Sequence, residues 1–239
     1  MLRAAAIIPA RDETASIAAT VAAALDIPGV DLVIVVDDGS RDATAELAAG
    51  AGARVVAHEI GRGKGAALRT AIEALWADGG AAAYHAVLLL DGDLGESAEQ
   101  AALLLAPVAA GSADMTIATF PRPPAGSGGF GLVKALARSG IHRLGSRDFE
   151  AIAPLSGQRA LSSSALRAVV PLADGYGAEV AMTIRALRAG LRVVEVPTTM
   201  THRHTGRDAA GFVHRGRQFV DVAVTLGRLA AERSDPAKS

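Results

Sequence analysis

The sequence predicts an α/β fold: a mostly parallel sheet with helices on both faces. Three observations carry this. Short apolar runs recur through the first half, at residues 4–8, 31–36 and 86–90, and unbroken runs are what strands buried on both faces require. Stretches of helical periodicity lie between them, such as Ile17, Val21 and Leu25, then Leu68, Ile72 and Leu75. Each run also ends in acidic residues, glycine or proline, which stop a strand and start a loop.

Taken in order, residues 4–8 form a strand stopped at Pro9, and residues 16–25 a helix. The second strand, residues 31–36, ends in Asp37-Asp38-Gly39-Ser40, and Ser40 or Asp42 can cap a helix over 42–49. Residues 54–57 form a third strand, 61–65 a glycine-rich turn and 66–77 a helix. The fourth strand, 86–90, ends in Asp91-Gly92-Asp93 and is followed by a helix over 97–108 and a strand over 114–119. Residues 120–131 hold prolines and glycines that suit a lid or a disordered crossing. Helices are predicted over 132–144, 164–169, 179–189 and 209–231, with a strand over 191–196 closed by Pro197.

Composition excludes several function classes. The chain has 239 residues and no cysteine, so it has length for a sizeable core but no disulfide, thiolate metal site or catalytic thiol. Lys and Arg number 24 against 25 Asp and Glu, so no global positive field draws the chain to nucleic acid, and any phosphate binding is local. Aromatics make up only 3% of the residues, which leaves alanine and small aliphatics to build the core. No apolar run reaches the roughly 20 residues of a bilayer span, and the first nine residues are too short for a signal peptide. A soluble, cytoplasmic protein is expected.

Ligands of a parallel sheet bind at the carboxyl ends of its strands. Those ends here carry Pro9, Arg11, Asp12 and Glu13, then Asp37 and Asp38, then Arg62 and Lys64, then Asp91 and Asp93. Asp91 and Asp93 offer hard oxygen ligands to Mg²⁺ or Mn²⁺ held also by a substrate phosphate; an ordinary Asp-Gly turn is the alternative. Asp38 is suited to accept from a base or ribose, although the same segment suits a helix cap. Gly63-Lys64-Gly65 before a helix presents backbone N–H groups and an ammonium to an anion, without the spacing of an ATPase P-loop or a dinucleotide fingerprint. His202, Arg203, His204 and Arg207 form a basic cluster in which a histidine can join a metal shell and an arginine can neutralise phosphate, or which is simply a solvated surface. Glu179 is a first-turn acid favoured by the helix dipole, or a site residue.

Together, Pro9-Ala10-Arg11-Asp12-Glu13, Val36-Asp37-Asp38-Gly39-Ser40, Gly63-Lys64-Gly65 and Leu90-Asp91-Gly92-Asp93 resemble family 2 glycosyltransferases of the GT-A, Rossmann-like fold. The resemblance covers residues 4–205. It implies a metal-dependent hexosyltransferase in which Pro9, Arg11, Glu13, Asp38, Gly39, Lys64, Asp91 and Gly92 bind a nucleotide-sugar donor of the UDP-glucose or GDP-mannose type. It also implies that Asp91, Asp93 and His202 hold Mg²⁺ or Mn²⁺, and that Asp93, Glu179 and Lys64 act in catalysis. Pro154-Leu155-Ser156-Gly157-Gln158-Arg159 and Gly175-Tyr176-Gly177-Ala178-Glu179 are similar to stretches of glucosyl-3-phosphoglycerate synthases, which implies a phosphorylated small acceptor bound by Ser156, Gly157, Gln158 and Arg207. Polyprenyl-phosphate sugar synthases share the early motifs; that alternative implies a polyprenyl-phosphate acceptor, an enzyme peripheral to the inner membrane, and a surface role for residues 132–144 that otherwise read as plain core. The same type of fold also serves a sugar-nucleotide nucleotidyltransferase or a catalytically silent nucleotide-sugar-binding protein. One domain is expected over 1–232, comprising a nucleotide-binding half (1–119), an acceptor and metal half (120–208) and a C-terminal helix (209–232), then a disordered tail (233–239). A homodimer is compatible with this organisation.

Overall fold

The computed structural model describes residues 2–77, 83–121, 131–201 and 209–234. The first half alternates strand and helix: β1 (Ala4–Ala10), α1 (Ile17–Leu25), β2 (Val30–Asp37), α2 (Thr44–Gly50), β3 (Arg54–Ala57), α3 (Lys64–Ala77) and β4 (Ala86–Leu89). After a 3₁₀ segment (Gly95–Gln100) come α4 (Ala101–Ala109), β5 (Met115–Thr119), α5 (Leu132–Leu144), β6 (Arg159–Ser162) and α6 (Ser163–Val169). A 3₁₀ turn (Gly175–Gly177) leads into α7 (Ala178–Arg188), then β7 (Val193–Pro197) and α8 (Ala209–Ser234).

The strands join one sheet in the order β3-β2-β1-β4-β6-β5-β7. All pairs are parallel except those of β6, which runs antiparallel to both β4 and β5. Side chains alternate across a strand, and both faces of β1 are covered: Ala4, Ala6 and Ile8 pack with Val21, Val35 and Leu104, whereas Ala5 and Ile7 pack with Ile34, Leu68 and Ile72. Each such Ile or Leu contributes about 1.5–3 kcal/mol on burial, and this double burial is why the runs read as continuously apolar. A third cluster joins α5, α7 and α8 through Ile141, Val180, Ile184, Val222 and Leu229.

The observed elements correct several expectations. β6 has no counterpart in the sequence reading, because its fully buried Arg159 breaks the apolar pattern. The helix expected over 97–108 divides into the 3₁₀ segment and α4. Neither Ser40 nor Asp42 is the N-cap residue of α2: Ser40 hydrogen-bonds Asp37, and Asp42 accepts from the Thr44 N–H at 3.1 Å. Helix α5 turns Ala137, Gly140 and Ile141 inward against α7 and α8, and Arg138 donates to the carbonyls of Ala151 and Ile152, so it has a packing role. α8 runs to Ser234, past the expected boundary at 232. Residues 122–130, taken from the sequence as a lid or crossing, lie outside the described residues, as do 235–239 of the expected tail. Among the described residues, no helix is long and apolar enough to cross a membrane.

Candidate active site

The carboxyl ends of β1, β2 and β4 open onto a cleft of about 630 Å³. Six residues expected to bind a donor line it: Pro9, Arg11, Glu13, Asp38, Lys64 and Asp91. The order β2-β1-β4 reverses direction between β1 and β4, and this switch point is where a parallel sheet leaves room for a ligand.

Two turns build the near wall. Asp12 has φ 55°, its N–H donates to Ser40 Oγ at 2.9 Å, and its Oδ1 accepts from the Arg41 N–H at 2.8 Å. The turns after β1 and β2 therefore brace each other. Asp38 ties both to the glycine-rich turn before α3. Its Oδ1 accepts from the Arg62 N–H at 2.8 Å and sits 2.7 Å from His58 Nδ1, and its Oδ2 accepts from the Gly63 N–H at 2.7 Å. His58 Nε2 lies 3.0 Å from Thr70 Oγ1 on α3. Asp38 thus shapes the glycine-rich turn and takes up its Arg62 and Gly63 N–H groups, while Oδ2 keeps capacity for one further donor.

Gly39 does not line the cleft. Its φ is +73°, and a Cβ there would stand 2.6 Å from the Gly61 nitrogen, so the glycine lets the two turns meet. Gly39→Ala should lose about 2–3 kcal/mol, from left-handed backbone strain plus the collision; an unchanged urea midpoint would contradict this. Burial works against the Asp38 carboxylate, but the Arg62 N–H, His58 and the Gly63 N–H outweigh it and hold its pKa below the ordinary 3.8. A depressed pKa stabilises the fold above the unfolded value, and that share is lost as pH falls through the folded one. The advantage of the wild type over Asp38→Asn, followed by urea denaturation, should persist from about pH 7 to about pH 4 and shrink below it.

At the inner end, the Lys64 ammonium lies 2.7 Å from Asp91 Oδ1 and 3.0 Å from Glu179 Oε1. Burial opposes the positive charge, but the two carboxylates prevail and hold the Lys64 pKa above its ordinary value. Asp91 Oδ2 accepts from Gln158 Nε2 at 2.6 Å. Gly157 lies against this group, and a Cβ there would collide with Lys64 Nζ. A second chamber, of about 170 Å³, opens here between Lys64, Asp91, Leu155, Tyr176, Glu179 and Gln218.

Arg159 underlies the chamber. It is fully buried, donates to the Ser156 carbonyl at 2.9 Å and to Thr183 Oγ1 at 2.9 Å, and leaves Nη2 without a partner among the described residues. Thr183 in turn donates to the Glu179 carbonyl at 3.0 Å. Burial pushes the Arg159 pKa down to about 10, against the pull of Glu179 and Glu195. This chain of bonds fixes the loop before β6 to the first turn of α7.

The remaining expected residues separate. Gly92 does not line the cleft; its carbonyl accepts from Ser16 and Thr20, and a Cβ would stand 3.3 Å from that of Ala10. Asp93 is half-buried and lines neither chamber. Ser156 and Gln158, expected at an acceptor, are only 8% and 1% exposed, because the loop turns inward and Gln158 supports Asp91. His202, Arg207 and the alternative ligand His204 lie outside the described residues. The sequence reading passed over Tyr176 as a site residue and missed Gln218 and Asp221. Tyr176, one of only two tyrosines and set between glycines, and Asp221, an acid within Phe-Val-Asp-Val, are signals that point to them.

Known proteins resemble this chain in sequence and in fold. A family model described as glycosyl transferase family 2 matches residues 5–169. The protein named glycosyltransferase AglJ of Haloferax volcanii is 33% identical over 200 residues, 74% of this chain and 56% of that protein, so the chain spans little more than half the length of this curated relative. Glucosyl-3-phosphoglycerate synthase from Mycobacterium tuberculosis, solved in complex with phosphoglyceric acid, matches with a TM-score of 0.76 and 26% identity over 95% of this chain and 80% of that one. The same enzyme in complex with Mn²⁺, uridine-diphosphate-glucose and phosphoglyceric acid matches with a TM-score of 0.76 and 25% identity over 96% and 80%.

Proposed function

Because this chain belongs to glycosyl transferase family 2, we propose that it moves a hexosyl group from a nucleotide-sugar of the UDP-glucose or GDP-mannose type to a phosphorylated small acceptor such as 3-phosphoglycerate. The observation that carries this reading is the Lys64 ammonium, held between Asp91 and Glu179 where the two chambers meet. A donor laid along the cleft puts its nucleoside beside Glu13 and Asp38, its diphosphate at Lys64, and its sugar toward Glu179.

Breaking the anomeric C–O bond leaves added negative charge on the departing diphosphate. Lys64 and the N–H groups at the start of α3 meet that charge in a site already shaped for it, and one such stabiliser is worth about 3–4 kcal/mol. Glu179, 3% exposed, is an acceptor for a sugar hydroxyl. The carboxylates of Asp91 and Asp93 suit Mg²⁺ or Mn²⁺, which take oxygen ligands and complete their shells with water and substrate phosphate. Among the described residues no group of three His, Asp or Glu side chains could hold a metal ion; in this reading a substrate diphosphate, with His202 as the resemblance implies, would complete the shell. A bound ion supplies Lewis-acid neutralisation of the diphosphate.

The test is release of nucleoside diphosphate from UDP-glucose or GDP-mannose, with Mn²⁺ or Mg²⁺, against two acceptors: 3-phosphoglycerate and a polyprenyl phosphate. Transfer to 3-phosphoglycerate that stops on adding EDTA is the expected result. Transfer to the lipid phosphate alone would reassign the acceptor, and pyrophosphate formed from a nucleoside triphosphate and a sugar phosphate would replace the reading by nucleotidyl transfer.

A further inference from the structure

The match to the family model ends at residue 169, yet both chambers are roofed by a helix beyond it. Helix α8 contributes Asp221 to the larger cleft and Gln218 to the smaller one. These positions are three residues apart, so one helical turn presents both to the same side. The roof is docked. Asp221 Oδ2 accepts from the Tyr176 N–H at 3.1 Å, and a Cβ on Gly177 would run into Thr225 of α8. The Gly175–Gly177 turn held in this way starts the helix that carries Glu179.

Resting on the glycosyl-transfer reading, we propose that Gln218 determines which donor sugar the small chamber accepts. Three of the six lining residues, Lys64, Asp91 and Tyr176, are shared with the larger cleft, so the small chamber is the continuation of the diphosphate path. At about 170 Å³ against 630 Å³, it suits the sugar end of the donor and not the nucleoside. Around its wall Lys64 offers only donors, and the carboxylates of Asp91 and Glu179 only acceptors. Gln218 alone among the six brings an amide, with a donor N–H and an acceptor oxygen on separate atoms, whereas the Tyr176 phenol donates and accepts through one oxygen. A sugar hydroxyl does the same, and its axial or equatorial direction decides whether an amide meets it. Leu155 on the wall gives an epimer's displaced hydroxyl no partner, and an unpaired polar group in such a chamber weakens binding.

The test compares binding of UDP and UDP-glucose by calorimetry, with Mn²⁺, in the wild type, Gln218→Ala and Gln218→Glu, and then kcat/KM for UDP-glucose against UDP-galactose. UDP affinity should stay within about twofold in Gln218→Ala, since UDP occupies the larger cleft, and should fall in Gln218→Glu, which adds a negative charge beside the diphosphate path. The extra affinity given by glucose should fall about three- to tenfold in Gln218→Ala, the worth of one neutral hydrogen bond, and the glucose-to-galactose ratio should narrow by a similar factor. Gln218→Glu keeps the size and removes the donor, so a changed ratio in this variant separates recognition from packing. If the sugar increment and the epimer ratio survive both substitutions, Gln218 has no such role, although the glycosyl-transfer reading stands. If the wild type binds no UDP, GDP or nucleotide-sugar at all, the glycosyl-transfer reading itself is overturned, and the inference with it.

Discussion

Replacing Lys64 by methionine should lower nucleotide-sugar turnover by about 10²–10³-fold, the usual loss when one stabiliser of a developing anion is removed. The ammonium lies 2.7 Å from Asp91 and 3.0 Å from Glu179. Its removal leaves two acids facing each other, one of them only 3% exposed. Arginine should not restore the rate. Its guanidinium is planar and wider than an ammonium, and the slot beside Gly157 has no room even for a methyl group on that glycine. Release of nucleoside diphosphate, followed with donor in excess, is the measurement. A rate within threefold of the wild type would place the leaving-group charge elsewhere in the cleft.

The second large effect is on stability. Arg159→Ala should destabilise the fold by about 3–5 kcal/mol, the range for a large buried side chain removed to leave a cavity, with the Ser156 carbonyl and Thr183 hydroxyl losing a donor. Arg159→Met should lose less, because the aliphatic stem still fills the space and the unpartnered Nη2 goes with the head group. Urea midpoints for the two variants give the comparison. Equal losses would mean that the guanidinium charge, not its volume, holds the loop to α7. In either variant the Glu179 end of α7 loses its link through Thr183, so activity should fall by more than the unfolded fraction explains.

How much of this was legible in the sequence depended on where apolar pattern and motif coincide. β1, β2 and β4 are buried on both faces and end in Ala10, Asp37 and Leu89, so runs of Val, Leu and Ile followed by acids located both the strands and the cleft. β6 was illegible because its first residue is a buried arginine, a type almost never found inside a sheet unless the interior is arranged for it. The inward turn of Ser156 and Gln158 was hidden for a related reason: a polar loop reads as exposed, and the partners that receive it, Asp91 for Gln158 and Arg159 for the Ser156 carbonyl, are brought there by the fold. Gln218 and Asp221 escaped because helix periodicity sorts residues into inside and outside, whereas this helix has a third side that faces a cavity.

Parity governs the segment that enters β6. Gln158 reaches Asp91, and the next residue, Arg159, reaches the opposite way to Thr183. Successive side chains of an extended chain point to opposite sides, so inserting or deleting a single amino acid between Ser156 and Arg159 would swap the two addresses. A guanidinium would then stand beside the Lys64 ammonium, and an amide would occupy the place built for a cation. Length in that short stretch is therefore constrained together with its chemical identity.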